Sequence, residues 1–267
     1  ASFEEFRETR ARSVELWAHD GAADSVIVLE NRDGLRFIKV NGKTDASDAE
    51  DLPTQRMVAH IPLLLSRAWN GQPPENVFVV GLGSGVTVGS ASMHEGVTVT
   101  SAEISRGVIE GSRYFDHVNH GVHERENVRL HHADAREWIE RSEQRWDVIV
   151  NQPSNPWIAG NAALFSREFF VAARERLAER GIFAQWMHVY SMDDATVEIV
   201  MNTFSSVFPH VTLWWPQGVD LLLIGTMEPM EIDLAELERA LAQPWLQAEM
   251  DYIKQAVTIA AALPGTP

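Results

Sequence analysis

Val77-Phe78-Val79-Val80-Gly81-Leu82-Gly83-Ser84-Gly85, residues 77–85, is the stretch whose reading decides the fold. Four apolar, β-prone residues run straight into glycines at alternate positions. A strand with no polar alternation is buried on both faces, as in a parallel sheet. Glycines directly after it let the chain turn sharply and pass close to a ligand before a helix begins. Further apolar runs follow downstream at Val97–Ala102, Val128–His131, Asp147–Val150, Ile182–Trp186, Val211–Trp215 and Leu221–Ile224. Helical periodicity fills most of the intervals, at 86–95, 105–118, 135–142, 166–179 and 192–207. Alternating strands and helices imply a parallel sheet covered on both faces. Only Pro216-Gln217-Gly218 separates the last two strands, so they are expected to close the sheet as an antiparallel hairpin.

Upstream the rhythm differs. Ser25–Asn31 and Leu35–Val40 flank the turn Asn31-Arg32-Asp33-Gly34, which reads as a β-hairpin. Asn41-Gly42 marks a second tight turn. Residues 3–17 read as a short amphipathic helix, and Lys43–Asp51 as a polar stretch. Thr54–Trp69 is helical, with Pro62 expected to kink it or end its first part. Pro73-Pro74 is the candidate boundary. The expected class is therefore α/β: a Rossmann-like, class I methyltransferase-type seven-stranded sheet with a small N-terminal antiparallel β unit. Three regions follow: 1–72 (hairpin unit and approach helix), 73–230 (Rossmann-like domain) and 231–267 (helical tail, with a helix over Asp233–Ala242 and a weaker one beyond).

The bulk numbers exclude more than they assign. The chain of 267 residues is 45% hydrophobic and 22% charged, ordinary for a globular protein. A formal net charge of −16 repels phosphate backbones and argues against nucleic acid as a partner. An acidic field can attract cations such as polyamines or a sulfonium nucleoside, although acidity mainly serves solubility. Cysteine is absent, which excludes disulfides, thiolate catalysis and zinc–cysteine sites and fits a reducing compartment. No apolar run approaches the roughly 20 residues a membrane helix needs, and no signal peptide is visible. Ala1 opens the chain without methionine, as expected of a segment trimmed or cut from something longer. A cytoplasmic placement is expected, with membrane association left open for the full-length protein.

Three successive strand ends carry candidate ligand groups. Gly81, Gly83 and Gly85 have the spacing G-x-G-x-G rather than G-x-G-x-x-G, which points from dinucleotides toward S-adenosylmethionine. Glu103 lies 22 residues beyond Gly81 at the end of the next strand, where an acid can accept hydrogen bonds from both ribose hydroxyls. Asp134 closes the third strand; it can bind an adenine amino group or cap the following helix, and the two readings weigh equally. Ile104 and Ala135, beside these acids, complete the expected nucleoside contacts.

The fourth strand runs into Asn151-Gln152-Pro153-Ser154-Asn155-Pro156-Trp157, then Ala159-Gly160 and Leu164-Phe165. Here the chain resembles the spermidine synthase (polyamine aminopropyltransferase) family, which has an acid-Ser-Ser-Asp-Pro stretch followed by a Leu-Phe pair and a helix. It looks closest to a bacterial branch, sometimes fused to membrane segments, with a Glu-Pro-Ser-Asn-Pro-Trp motif. The resemblance covers roughly residues 25–226 and takes in Gln55, His60-Ile61-Pro62 and Gln185. It implies a co-substrate, S-adenosylmethionine or its decarboxylated form, held by Gln55, Gly81, Gly83, Ser84, Gly85, Glu103 and Asp134 without a metal. It also implies that the 152–157 loop faces the acceptor, with Gln152, Asn155 and Tyr190 at the reacting group. The expected activity is a transferase of polyamine biosynthesis that releases methylthioadenosine. The partner is a small-molecule amine or the donor itself; self-association, if any, would be as a homodimer.

The attacking amine of such a reaction is protonated at neutral pH, its pKa being near that of lysine, about 10.4. The family's loop carboxylates hold it and help remove a proton. In this chain the two acidic positions are Gln152 and Asn155, and Ser84 stands where the family usually has an aspartate for the donor's amine. Gln152 has three explanations: a different acceptor, another acid such as Asp193, Asp194 or Asp51 reaching in, or an engineered near-isostere that traps ligand. The alternatives in function are a lyase or cyclase, a methyltransferase, or an inactive nucleoside-binding domain. His117, His120 and His123 recur at spacing three and are read as solvated rather than metal-binding. His188 either lines the acceptor pocket or packs at the strand end, and Trp157 either walls the pocket or anchors its loop.

Overall fold

The computed structural model describes residues 13–22, 24–49, 51–154, 161–189, 192–216, 218–250 and 258–259. Strands β1 (Ser13–Asp20), β2 (Ser25–Asn31), β3 (Arg36–Val40) and β4 (Lys43–Ser47) form an antiparallel sheet in chain order. Asn31 fixes the β2–β3 turn, its Oδ1 accepting from the Asp33 and Leu35 amides, each at 2.9 Å. Asn41 and Gly42 turn β3 into β4 with φ of 50° and 82°. Two expectations need correction. The helix expected over residues 3–17 is a strand from Ser13 onward, while residues 3–12 lie outside the described residues. Pairing with β2, across a register shift between Glu15 and Trp17, overrides the apolar spacing. Part of the polar Lys43–Asp51 stretch is likewise a strand, held to β3 by backbone bonding rather than by its own propensity.

Helix α1 (Leu52–Asn70) runs unbroken through Pro62, which therefore does not end it. Proline at that position removes one intrahelical bond, but nearly every residue of α1 is buried, and that packing outweighs the loss. The helix stops at Gly71, whose φ of 72° lets its amide return to the Arg67 carbonyl at 2.8 Å.

The main sheet contains β5 (Asn76–Val80), β6 (Thr98–Glu103), β7 (Val128–His132), β8 (Trp146–Asn151), β9 (Leu177–His188), β10 (His210–Trp215) and β11 (Asp220–Thr226). A two-residue edge strand, β12 (Thr258–Ile259), makes it eight-stranded, in the order β12-β10-β11-β9-β8-β5-β6-β7. β7, β6, β5, β8 and β9 are parallel, and β11 and β10 close the sheet antiparallel as expected. β9 starts earlier than expected, at Leu177, with Arg180 in a left-handed conformation (φ 54°) before Gly181.

Helices α2 (Val86–Ser92), α3 (Arg106–Gly111), α4 (Asp116–Asn119), α5 (Ala135–Arg141), α6 (Arg167–Glu175) and α7 (Asp194–Ser205) link the strands, and α8 (Leu234–Leu241) and α9 (Pro244–Met250) follow. The sheet buries both faces. On one, Val77, Val79, Val99, Val148 and Val150 pack in a single core with Met57, Ile61 and Leu65 of α1 and with Val26, Val28 and Ile38 of the N-terminal sheet. On the other, Phe78, Ile149 and Phe183 meet Phe169 and Phe170 of α6 and Phe204 of α7. Each such side chain contributes about 1.5–3 kcal/mol on burial. The N-terminal sheet is seated against α3, where Gly107 faces Val26 and Gly111 faces Val28 and Ile38, at the rim where the parallel strands end.

Candidate active site

The sheet's carboxyl rim is built from backbone first. Gly81, Gly83 and Gly85 all have positive φ (85°, 58° and 85°), which a side chain would strain. The turn is pinned from β6: the Gly81 amide bonds to the Ala102 carbonyl at 3.0 Å, and the Ser101 hydroxyl donates to the Gly81 carbonyl at 2.9 Å. The Glu103 carboxylate spans the next gap, accepting from the Leu82 amide at 2.9 Å and the Ser105 amide at 2.8 Å. Burial pushes the Glu103 carboxyl up to about 7, against the pull of those two amides. A Cβ added at Gly81 would stand 3.7 Å from the Gln152 carbonyl and 3.8 Å from Glu103 Oε2, so this glycine faces both the second strand end and the fourth.

Gln55, one turn into α1, ties the N-terminal sheet to the glycine loop. Its Nε2 donates to the Ser47 carbonyl and to Asp51 Oδ2, each at 2.9 Å, and its Oε1 accepts from the Ser84 hydroxyl. Ser84 is fully buried in this bond and presents no charge. Thr87, in the first turn of α2, stands 2.9 Å from the Gln55 carbonyl and 2.5 Å from a terminal atom of the Gln152 amide. A hydroxyl has one proton. With it given to the Gln55 carbonyl, the Gln152 amide satisfies the pair by turning its NH2 toward Thr87, an orientation that geometry alone leaves free. Burial raises the Asp51 carboxyl, which is engaged by Ser47 and Gln55.

Asp134 is exposed and caps α5, Oδ1 accepting from the Arg136 and Glu137 amides at 2.8 and 3.2 Å. The capping role is thus filled, and the carboxylate retains acceptor capacity for a second partner. Ile104 is 68% exposed at the same rim, whereas Ala135 is buried beneath it. Asn155, Tyr190 and Trp157 lie outside the described residues. Gln185 is buried with its Oε1 accepting from Asn151 Nδ2 at 2.6 Å, on the opposite face of the sheet from Gln152. Asp193 and Asp194 are exposed at the start of α7, where Asp193 caps the helix through the Thr196 amide at 2.8 Å. Of the three acids considered as substitutes, only Asp51 bonds within the site.

The histidines diverge. His117 bonds Asp48 at 2.7 Å, His120 meets Glu249 at 3.0 Å, and His123 meets the Ser112 hydroxyl at 2.7 Å. His117 remains exposed as well as paired, whereas His120 and His123 are partly enclosed and engaged, which corrects the solvated expectation for those two. His188 is buried beside Trp186 (ring centroids 5.2 Å apart), and burial, with Lys43 nearby, lowers it to about 4. Four residues escaped the sequence reading: Ser101 and Thr87, bonded to the loop, and Thr54 and Asp220, joined at 2.7 Å between α1 and β11. Asp220 was signalled only by its place at the head of an apolar run. Lys43 Nζ also reaches Ser154 of the acceptor loop at 3.1 Å. A surface cleft lined by Arg145, Arg174, Leu177 and Met227 lies at the sheet's other rim, away from all of these. Among the described residues no group of three or more His, Asp or Glu side chains is placed to hold a metal ion, and no helix is long and apolar enough to cross a membrane.

Fold and rim together define a class: a Rossmann-like α/β protein whose glycine turn and second-strand acid meet at the sheet's carboxyl rim, close to an N-terminal β sheet. Residues 52–216 match the spermine/spermidine synthase domain model, and the chain belongs to that family. It is 28% identical over 151 residues to a polyamine aminopropyltransferase of Archaeoglobus fulgidus (57% of this chain, 54% of that one). It is 29% identical over 221 residues to spermine synthase of Arabidopsis thaliana (78% and 58%) and 24% identical over 250 residues to a polyamine aminopropyltransferase of Yersinia pestis (90% and 82%). The chain thus spans little more than half of the archaeal and plant relatives. The crystal structure of spermidine synthase from Thermotoga maritima matches with a TM-score of 0.69 at 20% identity, covering 90% of this chain and 88% of that one, a likeness of fold.

Proposed function

We propose that the chain is an aminopropyltransferase-like transferase that takes decarboxylated S-adenosylmethionine or S-adenosylmethionine, passes a carbon group from its sulfonium to an amine and releases methylthioadenosine. The observation that carries this reading is Glu103. Its half-buried carboxylate closes the glycine turn and is poised to accept from paired hydroxyls, so that a ribose would stabilise its charge. Gly81, Gly83 and Gly85 let the nucleoside lie against backbone, Ile104 and Ala135 flank the base, Asp134 offers a further acceptor, and Gln55 with Ser84 stiffens the floor. Residues 1–72 would wall the acceptor side, 73–230 perform the chemistry and 231–267 brace α1.

In the reaction, the amine nitrogen attacks the carbon next to sulfur and the C–S electron pair returns to sulfur. The leaving group is a neutral thioether and needs no acid. The amine must first lose a proton to solvent water, because neither Gln152 nor Asn155 can take it. Their part, with Tyr190, is to orient the nitrogen, so the rate would come from proximity and alignment.

Two features favour a second reading, in which the donor keeps its carboxylate and attacks itself as a lyase or cyclase would. Ser84 brings no negative charge, and the Lys43 ammonium lies beside Ser154 in the acceptor loop. Incubation with each donor and a panel of amines, followed by mass spectrometry, tests both. An amine adduct with methylthioadenosine supports transfer; methylthioadenosine without an adduct supports the second; S-adenosylhomocysteine refutes both.

A further inference from the structure

A cationic acceptor needs an anion in its pocket, and the acceptor loop, with Gln152 and Asn155, supplies none. The acids around the rim can be taken one by one. Glu103 receives the Leu82 and Ser105 amides and, on the reading above, is reserved for the ribose hydroxyls of the donor. Asp51 is held by the Ser47 amide and hydroxyl and by Gln55. Asp193 caps an exposed helix, and Asp45 pairs with Lys43 at 3.9 Å. Asp220 is different. It heads β11 opposite His188 of β9, at the strand ends that form the rim. Its Oδ2 accepts from the Thr54 hydroxyl at 2.7 Å. Thr54 is almost fully buried and adjoins Gln55, so the carboxylate is fixed from the helix that floors the glycine loop. The rest of the carboxylate keeps acceptor capacity.

Side-chain direction places it in the same compartment as Gln152. Val150 pairs with Ala184 and Leu222 with Trp186, and successive strand residues alternate faces. Gln152, Trp186, His188 and Asp220 therefore all point to the α1 side, where Val150, Ala184 and Leu222 pack against that helix. Asp220 stands two strands from Gln152, about 10 Å across the sheet. That separation suits an acceptor with a second cationic nitrogen remote from the one that reacts.

On the reading given under Proposed function, we infer that Asp220, positioned by Thr54, is the anionic anchor of the acceptor and holds an ammonium group of a diamine or longer polyamine. Asp220 replaces the loop carboxylates from another strand, and selects for acceptors with two amino groups over simple monoamines. Burial raises the Asp220 carboxyl, opposed by Thr54 and the Trp186 indole and reinforced by Asp51, so an incoming cation would stabilise its charge.

The test uses the whole chain saturated with methylthioadenosine, titrated calorimetrically with putrescine, spermidine and butylamine. The parent is expected to bind the first two more tightly than the third. Asp220→Asn should weaken diamine binding by roughly 10- to 100-fold, the loss of a charged hydrogen bond. Asp220→Glu should recover part of it, and methylthioadenosine affinity, which reports an intact fold, should be unchanged in both. Diamine affinity unaltered in Asp220→Asn, or a parent that binds methylthioadenosine but no diamine, overturns the assignment and leaves the nucleoside site standing. A parent that binds no methylthioadenosine overturns the functional reading and this inference with it.

Discussion

Glu103→Gln should lower ligand affinity and change stability by an amount that depends on pH. The Glu103 carboxyl titrates at about 7 in the folded protein against an ordinary 4.5, because burial outweighs the two amides that bond it. Between these values the folded chain binds more protons than the unfolded one, so stability falls as pH rises through the window, and the whole loss is present above about pH 7. At 1.36 kcal/mol per unit, the displacement is worth about 3 kcal/mol. Glutamine is neutral like the protonated acid, but Leu82 and Ser105 bond different carboxylate oxygens. Its one oxygen therefore pairs a single amide and its NH2 leaves the other unpaired, a pH-independent cost of about 1–3 kcal/mol. The variant should therefore lie about 1–3 kcal/mol below the parent near pH 4 and move in its own favour by about 3 kcal/mol on going to pH 8.5, a relative gain in melting temperature of about 5–10 °C. Urea unfolding of both proteins across this range is the assay, and other titrating groups cancel in the difference. Nucleoside affinity should fall by roughly 10- to 100-fold at pH 8.5, since a neutral amide accepts hydroxyl bonds less strongly. A stability difference that stays flat with pH, or one that moves against the variant as pH rises, would refute the reasoning.

Other outcomes follow from the packing around the glycine loop. Gly89→Ala should cost about 3 kcal/mol or more in urea unfolding, because its Cβ would stand 2.0 Å from the Asn119 carbonyl oxygen, which is backbone and has no rotamer to change. Gly83→Ala meets only Ala46 Cβ at 3.7 Å, so it should cost about 1–2 kcal/mol, from its positive φ alone. Glu249 of α9 receives Arg56, His60 and His120 in a buried cluster that holds its carboxyl well below the usual range. Glu249→Gln should then lose about 3–5 kcal/mol at pH 7, with the deficit shrinking as pH falls below the ordinary carboxylate value and the parent's own carboxylate protonates. His94, buried 3.0 Å from His60, is held well below its ordinary 6.5 by burial and by that neighbour. It must stay neutral while the unfolded chain takes up a proton, so His94→Gln should gain on the parent as pH falls from about 6.5. A constant difference between the two would contradict this.

How much of this could be read from residues depended on which physics dominated locally. β5, β6 and β8 are buried on both faces, so their apolar runs announce them, and the glycine turn and Glu103 sit at their ends by chain connectivity alone. β1 and β4 were missed because backbone pairing with β2 and β3 makes them strands, against an apolar spacing in Ser13–Trp17 and a polar composition in Lys43–Ser47. Pro62 failed as a helix breaker because burial of α1 outweighs one lost hydrogen bond. The links between the parts of the site were less legible still. Thr87 to Gln152 and Thr54 to Asp220 join residues 65 and 166 positions apart, and neither contact has a local signature. Gln55 and Ser84 could be named individually, but not their bond to each other.

Calorimetric titration of the parent chain with S-adenosylmethionine, its decarboxylated form and methylthioadenosine, beside adenosine diphosphate as a control, probes the central claim most directly. Saturable binding at one site per chain is expected for the adenosyl thioether and for at least one sulfonium donor, with proton release near pH 6.5 as Glu103 ionises, and none for the diphosphate. No heat from any adenosyl sulfur compound, or binding with no proton exchange, would contradict a nucleoside gripped by Glu103 at the glycine turn.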